Sequence, residues 1–264
     1  MICRITGRDN KTVKFIKSLK KKNNRMGQGK FVAEGRKLSL EAFEYADKNI
    51  YCVVVSEDFA EKEPDVVKKA ENVCDKVFVV ANHVFDEISD TETPQGILTV
   101  VNMNDQEFKP VEGMGSVVVL DGVSEPGNLG TVIRTAEAFG FDGIYLMKGC
   151  ADIYSSKTVR STMGSIFRMR FKTGCEIKDL EELRKDGFAL ISTTPEGEVS
   201  LEQFRVPERC AVIIGNEAHG VSNEVIEISD IRVKITMDGL AESLNAAVAA
   251  GIVLHWIKNY NREY

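Results

Sequence analysis

The stretch SVVVLDGVSEPGNLGTVIRTAEAFG (Ser116–Gly140) decides the fold of this chain. It begins with a short apolar run, which is typical of a parallel strand that is buried on both faces. A loop rich in glycine and proline follows, and Leu129–Phe139 then has the spacing of an amphipathic helix. Gly140 predicts the left-handed turn that ends such a helix. This strand–loop–helix unit predicts an α/β domain with a mostly parallel sheet.

The same alternation continues towards the C-terminus. Further strands are predicted at Gly143–Met147, Phe188–Thr193, Ala211–Gly215 and Ile231–Ile235. Helices are predicted at Ser155–Phe167, Glu176–Lys185, Asn223–Ile228 and Glu242–Tyr260. Ligands of parallel sheets bind beyond the carboxyl ends of the strands. We therefore expect function in the loops that follow Leu120, Thr193, Gly215 and Ile235.

The first part of the chain predicts a separate, smaller α/β domain. Its predicted helices are Asn10–Lys22, Leu38–Ala46, Asp65–Asn72 and Asn82–Ile88, and its predicted strands are Phe31–Glu34, Ile50–Val55, Lys76–Val80 and Gly96–Val101. The polar segment NMNDQEFKPVEGMG (residues 102–115) then breaks the pattern. We therefore predict a domain at residues 1–105, a linker at 106–115 and a second domain at 116–264.

Composition excludes several classes of protein. The 264 residues are 43% hydrophobic and 28% charged, which is typical of globular proteins. The best membrane candidate, Ala246–Ile257, has only 12 residues, whereas a spanning helix needs about 20. The N-terminus lacks the apolar core of a signal peptide. We therefore expect a cytoplasmic protein that does not enter a membrane.

The net charge of −6 conceals an uneven distribution. Residues 1–37 contain 12 lysines and arginines against two acids, a local charge of +10, whereas the remaining residues carry −16. Lys14, Lys17 and Lys21 have helical spacing and can share one face. Such a face attracts the phosphates of a nucleic acid. The alternative is an ordinary solvated helix face.

The loop after Leu120 can bind a polar ligand. Its glycines permit a tight turn at a helix start, where backbone N–H groups attract anions. Arg134 follows one helical turn after Gly130 and offers a permanently charged, planar fork of donors. The alternative is a plain turn with a capped helix and a surface arginine.

Two further loops carry isolated polar residues. In GNEAHGVS (Gly215–Ser222), Glu217 lies between Gly215 and Gly220. In TMDGLAESLNAAVAAGI (Thr236–Ile252), Ser243 and Asn245 open a helix of small apolar residues. Helix capping would also explain these residues. The three histidines lie in unrelated contexts, so we expect no metal site.

Taken together, these loops resemble the SpoU/TrmH family of RNA ribose 2′-O-methyltransferases. The family motif N-x-G-x-x-x-R is matched by Asn128, Gly130 and Arg134. The motif G-x-E-x-x-G is matched by Gly215, Glu217 and Gly220, and S-L-N by Ser243, Leu244 and Asn245. The segment Val159–Met169 also resembles a family segment. Lys30–Ala42 and Thr93–Val101 are similar to the L30e-like substrate-binding domain that often precedes the catalytic domain.

The resemblance implies a fold and a cofactor. It implies an L30e-like domain followed by a trefoil-knotted, SPOUT-type α/β domain, which forms a homodimer. S-adenosylmethionine (AdoMet) would bind in the knot, with no metal. The implied cofactor contacts are Thr193, Gly215, Asn216, Gly220, Ile235 and Leu244. From the basic N-terminal segment, and not from the resemblance, Lys14, Lys17, Lys21 and Arg36 are predicted to bind RNA.

The resemblance also implies a reaction, the transfer of a methyl group to a ribose 2′-hydroxyl. Arg134 would bind the ribose and its phosphate and stabilise the developing oxyanion. Asn128 and Asn245 would orient the ribose, Glu217 would hold Asn128 or Arg134, and Ser243 would contact substrate or cofactor. A separate N-terminal domain favours 23S-type ribosomal RNA. Transfer RNA, methylation of a base, and a non-catalytic RNA-binding protein with a knotted fold are the alternatives.

Overall fold

The computed structural model describes residues 2–103, 108–109, 113–240 and 243–260. They divide into two compact units. The first draws on residues 1–106 and 152–168, and the second on 107–151 and 169–264. None of the helices in the described ranges has the length and apolar character needed to cross a membrane.

The first unit is a mixed α/β structure. Its elements in chain order are β1 (Ile2–Ile5), α1 (Lys11–Ser18), α2 (Lys22–Gln28), β2 (Lys30–Glu34), α3 (Arg36–Tyr45), β3 (Ile50–Ser56), α4 (Glu57–Lys62), α5 (Pro64–Val73), β4 (Val77–Val80), α6 (Asn82–Ile88) and β5 (Ile97–Asn102). The strand order is β1-β4-β3-β5-β2. β5 is antiparallel to both of its neighbours, and the other pairs are parallel.

Both faces of this sheet are covered, which explains the continuous apolar run in β3. Cys52 and Val54 pack in a core with α1 and α6. Val53 and Val55 point to the opposite face and pack against α4 and α5. Successive strand residues alternate between faces, so a strand buried on both faces must be apolar throughout.

The predicted helix Asn10–Lys22 is wrong as a single element. Asn10 caps α1, but α1 ends at Ser18, and α2 starts at Lys22. The break is stabilised by Arg25, which is buried and donates hydrogen bonds of 2.8 Å to the carbonyl oxygens of Leu19 and Lys20. A side chain thus satisfies carbonyl groups that a continuous helix would have used internally.

The second unit contains the sheet that the sequence predicts. From Ser116 onward, the elements in chain order are β6 (Ser116–Leu120), α7 (Pro126–Ala138), β7 (Gly143–Met147), α8 (Ser156–Thr162), β8 (Phe171–Cys175), α9 (Ile177–Lys185), β9 (Ala189–Thr193), β10 (Val199–Ser200), β11 (Cys210–Ile214), α10 (Asn223–Ile228), β12 (Ile231–Lys234) and α11 (Ala246–Tyr260), and all of them except α8 belong to the second unit. The strand order is β10-β12-β9-β11-β6-β7-β8, and every pair is parallel. The predicted parallel sheet is confirmed.

The residues of α8 belong to the first unit, although β7 and β8 on either side of them belong to the second. Within the first unit, the Arg25 guanidinium lies 2.5 Å from the Asp152 carboxylate. The ring centroids of Phe31 and Tyr154 are 4.8 Å apart. The predicted helix Ser155–Phe167 is wrong in its second half, because Met163 and Gly164 adopt left-handed backbone angles and end α8 at Thr162.

Some elements were not predicted. β8 was missed because its sequence FKTGC contains no apolar run, and β1, α4 and β10 were too short or too polar to be recognised. The predicted start of the last helix at Glu242 lies outside the described residues. Parts of the predicted linker, residues 106–107 and 110–112, also lie outside them. Phe108, within the linker, is buried in the core of the second unit.

Candidate active site

A cavity of about 490 Å³ opens beyond the carboxyl ends of β9, β11 and β12. It is lined by the loops that follow these strands and by the start of α11. All six residues predicted to hold a cofactor line this one cavity: Thr193, Gly215, Asn216, Gly220, Ile235 and Leu244. Its volume lies within the range of about 300–1,000 Å³ that is typical of small-molecule sites.

The loop after β11 is a closed turn in which the backbone approaches itself. The backbone N–H of Asn216 donates to the Gly220 carbonyl at 2.9 Å, and the N–H of Gly220 donates in return at 3.0 Å. A Cβ atom on Gly215 would lie 2.2 Å from the Gly220 carbonyl carbon and from the Val221 nitrogen. Only glycine therefore fits at position 215.

Two side chains hold this turn in place. The Asn216 amide donates to the Gly122 carbonyl at 2.7 Å, and its oxygen accepts from the N–H of Ala218 at 2.8 Å. The carboxylate of Asp121, directly after β6, accepts from the N–H of Ser222 at 2.7 Å. These hydrogen bonds join the loops after β6 and β11.

A chain of hydrogen bonds connects the three sequence motifs. The Asn128 amide donates to the Glu217 carboxylate at 2.9 Å, and the Asn245 amide donates to the Asn128 side-chain oxygen at 3.0 Å. Residues far apart in sequence thus meet at one edge of the sheet, as parallel topology requires. We name Asn128, Glu217 and Asn245 the amide relay.

The charge of Glu217 fixes the orientation of the amide relay. Partial burial acts to raise the pKa of Glu217, but hydrogen bonds from the Asn128 side chain and from backbone N–H groups, including that of Ser124, lower it overall. An ionised carboxylate only accepts hydrogen bonds. Asn128 must therefore direct its NH₂ group towards Glu217 and its oxygen towards Asn245.

Capping and participation in the relay occur together in Asn245. Its side-chain oxygen accepts from the N–H of Ala247 at 2.9 Å at the start of α11, while its NH₂ group reaches Asn128. Helix capping, the alternative interpretation of Asn245, is therefore confirmed, but it does not account for the second contact that Asn245 makes with Asn128. The helix start fixes the amide that completes the relay.

The sequence interpretation missed Glu125. Its carboxylate caps α7 by accepting from the N–H of Asn128 at 2.7 Å. This contact sets the backbone position from which the Asn128 side chain reaches Glu217. The signal was present in the sequence, because Pro126 follows Glu125 and proline favours the first position of a helix.

Arg134 and Ser243 are exposed and lie apart from the relay. Arg134 lies six residues beyond Asn128 on α7, about 9 Å along the helix axis. Within the described part of the chain, its guanidinium makes no ion pair or hydrogen bond. Ser243 lines the cavity, and its hydroxyl likewise has no protein partner among the described residues.

The structure gives three of the four predicted RNA-binding cations an acidic neighbour. Lys14 lies 2.8 Å from Asp9, Lys17 contacts Glu87, and the Arg36 guanidinium lies 3.0 Å from Glu63. Lys21 is exposed and has no acidic partner among the described residues. Arg36 also lines a groove of about 780 Å³ at the start of α3.

The described residues contain no group of three or more histidine, cysteine, aspartate or glutamate side chains that could hold a metal ion. His219 lines the cavity at the exposed tip of the β11 loop. The side chains available at this edge of the sheet therefore offer amides, carboxylates, a hydroxyl, an imidazole and a guanidinium.

Comparison with known proteins identifies the family. Residues 115–255 match the SpoU rRNA Methylase family, and residues 10–99 match the MRM3-like substrate binding domain. The chain is 31% identical to the 23S rRNA (guanosine(2553)-2′-O)-methyltransferase RlmP of Bacillus subtilis over 249 residues, which is 94% of this chain and 96% of that protein.

Two solved structures share the architecture. An AdoMet-bound rRNA methyltransferase from Sinorhizobium meliloti aligns with a TM-score of 0.85 at 29% identity, covering 98% of each chain. The SpoU methyltransferase AviRb from Streptomyces viridochromogenes, in complex with AdoMet, aligns with a TM-score of 0.81 at 25% identity, covering 96% of this chain and 99% of that one. The chain therefore belongs to the SpoU rRNA methylase family.

Proposed function

We propose that this protein is an AdoMet-dependent RNA methyltransferase that modifies a ribose 2′-hydroxyl of ribosomal RNA. The observation that carries the proposal is that Glu217 belongs both to the amide relay and to the lining of the cavity. The names of the relatives support ribosomal RNA as the substrate class. The RlmP protein acts on 23S rRNA, and the S. meliloti protein is an rRNA methyltransferase.

The cavity residues fit AdoMet. Ile235, Met237 and Leu244 supply apolar walls for a nucleoside, and the backbone turn at Gly215 leaves polar main-chain groups beside them. The carboxylates of Glu196 and Glu217 line the same cavity and favour a cationic ligand. When bound, AdoMet supplies an electrophilic methyl group on a sulfonium.

The relay residues orient the substrate. The amides of Asn128 and Asn245 are held by hydrogen bonds next to Glu217, which lines the cavity. Such fixed positions lower the entropic cost of aligning a weakly nucleophilic hydroxyl. Glu217 has a lowered pKa, and its carboxylate is engaged by Asn128 and Ser124. It is therefore a positioning group for Asn128 and a poor proton acceptor.

Arg134 provides the charge that the reaction needs. A guanidinium stays protonated in proteins, so Arg134 does not take the proton from the hydroxyl. Its donors have no partner within the described ranges, and they are available for the substrate phosphate and for the hydroxyl oxygen, which becomes negative as its proton passes to solvent water. Ser243 adds one hydroxyl contact at the cavity wall.

The remaining expectations belong to the same proposal. α11 exposes Val248 and Ile252, four residues apart on one face, and this apolar face supports a homodimer formed through the C-terminal domain. A knotted C-terminal domain, an L30e-like first domain, the domain limits 1–105 and 116–264 and a cytoplasmic location stay predictions. Analytical ultracentrifugation of wild type and Val248→Asp tests the dimer.

The proposed function is tested by measuring AdoMet binding by calorimetry and then methyl transfer to total RNA. Methylation of a 2′-hydroxyl makes the adjacent phosphodiester resistant to alkali, whereas methylation of a base does not. Alkali-resistant dinucleotides that carry the transferred methyl group are expected. Binding of RNA without transfer would favour the non-catalytic alternative, and an alkali-sensitive product would favour a base methyltransferase.

A further inference from the structure

In the first unit, three side chains surround the ring of Tyr51, and the proposed function assigns no role to any of them. The Nζ atoms of Lys76 and Lys30 lie 4.3 Å and 4.8 Å from the centroid of the Tyr51 ring. The Phe15 ring lies 5.5 Å from the same ring, tilted by 59°. We name Phe15, Lys30, Tyr51 and Lys76 the Tyr51 platform.

The backbone places Tyr51 in this position through a β-bulge. The register of β3 against β5 shifts between Ile50, opposite Val101, and Cys52, opposite Val100, so Tyr51 is the extra residue. Bulges re-aim a side chain relative to the regular alternation of a strand. Tyr51 and Phe15 are both partly exposed at the edge of the core between the sheet and α1.

The lysines of the platform differ from the other cations of this unit. Lys30 donates to the carbonyl oxygen of Gln28 at 3.0 Å, and neither Lys30 nor Lys76 has an ion-pair partner among the described residues. Lys11 lies one helical turn before Phe15 and is likewise without an acidic partner there. By contrast, Lys14, Lys17 and Arg36 are partly neutralised by nearby acids.

We propose that the Tyr51 platform is a docking site for an unpaired RNA strand, with a base stacked on the aromatic pair and the flanking phosphates on Lys11, Lys30 and Lys76. The inference rests on the proposed function, because it assigns the RNA contact of the same enzyme. Aromatic rings between lysines are the usual means of holding single-stranded nucleic acid without sequence preference. The ring–lysine contacts are partly exposed and weak, so phosphates can draw the ammonium groups away and free the ring for a base.

The first experiment measures the binding of a short oligouridylate to the full chain by fluorescence anisotropy. Tyr51→Leu is expected to lower affinity about tenfold, because base–aromatic stacking is lost. Tyr51→Phe keeps a ring and is expected to bind as wild type does. Tyr45→Leu is the matched control, because the Arg168 guanidinium lies over that ring at 4.7 Å but Glu44 lies beside it.

The second experiment measures the same affinity over a range of salt concentrations. Lys30→Gln with Lys76→Gln is expected to reduce the log–log slope by about 1.4, since each lost phosphate contact on a single strand contributes about 0.7. Lys68→Gln with Lys69→Gln is the charge-matched control, because both lysines are exposed on α5. Ultraviolet cross-linking followed by mass spectrometry is expected to find Tyr51 or Phe15 attached to uridine.

The outcomes separate this inference from the proposed function. If the protein methylates RNA while a folded Tyr51→Leu variant binds and cross-links as wild type does, the platform is wrong and the function stands. If the oligonucleotide binds through Tyr51 and no methyl group is transferred, the platform stands and the function fails. A wild-type chain that binds no single strand, or that prefers the same sequence as a duplex, overturns the platform.

Discussion

The candidate active site of the second unit and the basic surface of the first unit arrange their polar side chains differently. In the second unit, Asn128, Glu217 and Asn245 hydrogen-bond to one another, so the site is already organised. On the basic surface of the first unit, Lys14 pairs with Asp9 and Lys17 with Glu87. Chemistry requires fixed donors and acceptors, whereas holding a polyanion requires only positive charge at suitable distances. We therefore expect single substitutions at the site in the second unit to cause large losses of AdoMet binding or turnover. Substitutions on the basic surface of the first unit should lower RNA affinity in small, cumulative steps.

The largest effect is expected for Gly215→Val, which should abolish AdoMet binding. The new side chain would enter the space occupied by Gly220 and Val221. Leu244→Ala changes the same cavity without touching the turn and should weaken binding about tenfold through lost apolar contact. Calorimetry measures the AdoMet affinity of both variants. Gly27→Val is the control, because a Cβ atom at position 27 would have no atom within 4 Å. Normal cofactor affinity in a folded Gly215→Val protein would show that the cofactor binds elsewhere.

Arg134→Ala is expected to lower methyl transfer by about 100–1,000-fold, which corresponds to the loss of about 3–4 kcal/mol of transition-state stabilisation. AdoMet binding should stay within a few-fold of wild type, because Arg134 does not line the cavity. The rate of methyl transfer is measured on total RNA, and AdoMet affinity is measured by calorimetry on the same preparations. Arg134→Lys keeps the charge but loses the planar fork, and should recover only part of the rate. Near-normal turnover in the alanine variant would remove Arg134 from the mechanism.

Glu217→Gln is expected to reduce turnover about tenfold, because a charge-assisted hydrogen bond to Asn128 is replaced by a neutral one. The pKa of Glu217 is lowered in the folded protein, so the ionised carboxylate stabilises the amide relay fully above about pH 5. This stabilisation is lost as the pH falls through the lowered pKa. The acid limb of the wild-type pH–rate profile should therefore be absent from the variant. Identical acid limbs would mean that another group titrates there.

The smallest effect is expected for Lys14→Glu, Lys17→Glu and Lys21→Glu together. Each phosphate contact that is lost should lower the slope of log affinity against log salt by about 0.7–0.9. Because Lys14 and Lys17 form ion pairs, Lys21 is the most available of the three cations. The total decrease in slope should therefore be smaller than that expected for three unpaired lysines. Filter binding at several salt concentrations measures this slope. AdoMet affinity should be unchanged, and an unchanged slope would mean that these lysines form an ordinary solvated face.

Local patterns predicted much of the fold. Short apolar runs such as Ser116–Leu120 and Cys210–Ile214 form strands, because a strand buried on both faces must be apolar. The end of α7 was also predicted, since Gly140 adopts the left-handed angle that a helix end favours. The three motif loops were correctly located at strand ends, because parallel strands bring their carboxyl ends to one edge. These features depend on residues close together in sequence.

Tertiary structure alone decided the rest. The sequence could not show that Arg25 would break a helix and meet Asp152, or that Lys17 would meet Glu87, because these pairs are 127 and 70 positions apart. It placed Glu217 between two glycines but could not say whether Asn128 or Arg134 would be its partner. The sequence alone predicted most strands of the parallel sheet and the loops that follow them. The tertiary structure decided which donor pairs with which acceptor and which cation with which anion, because a hydrogen bond or ion pair depends on distance in space and not on separation along the chain.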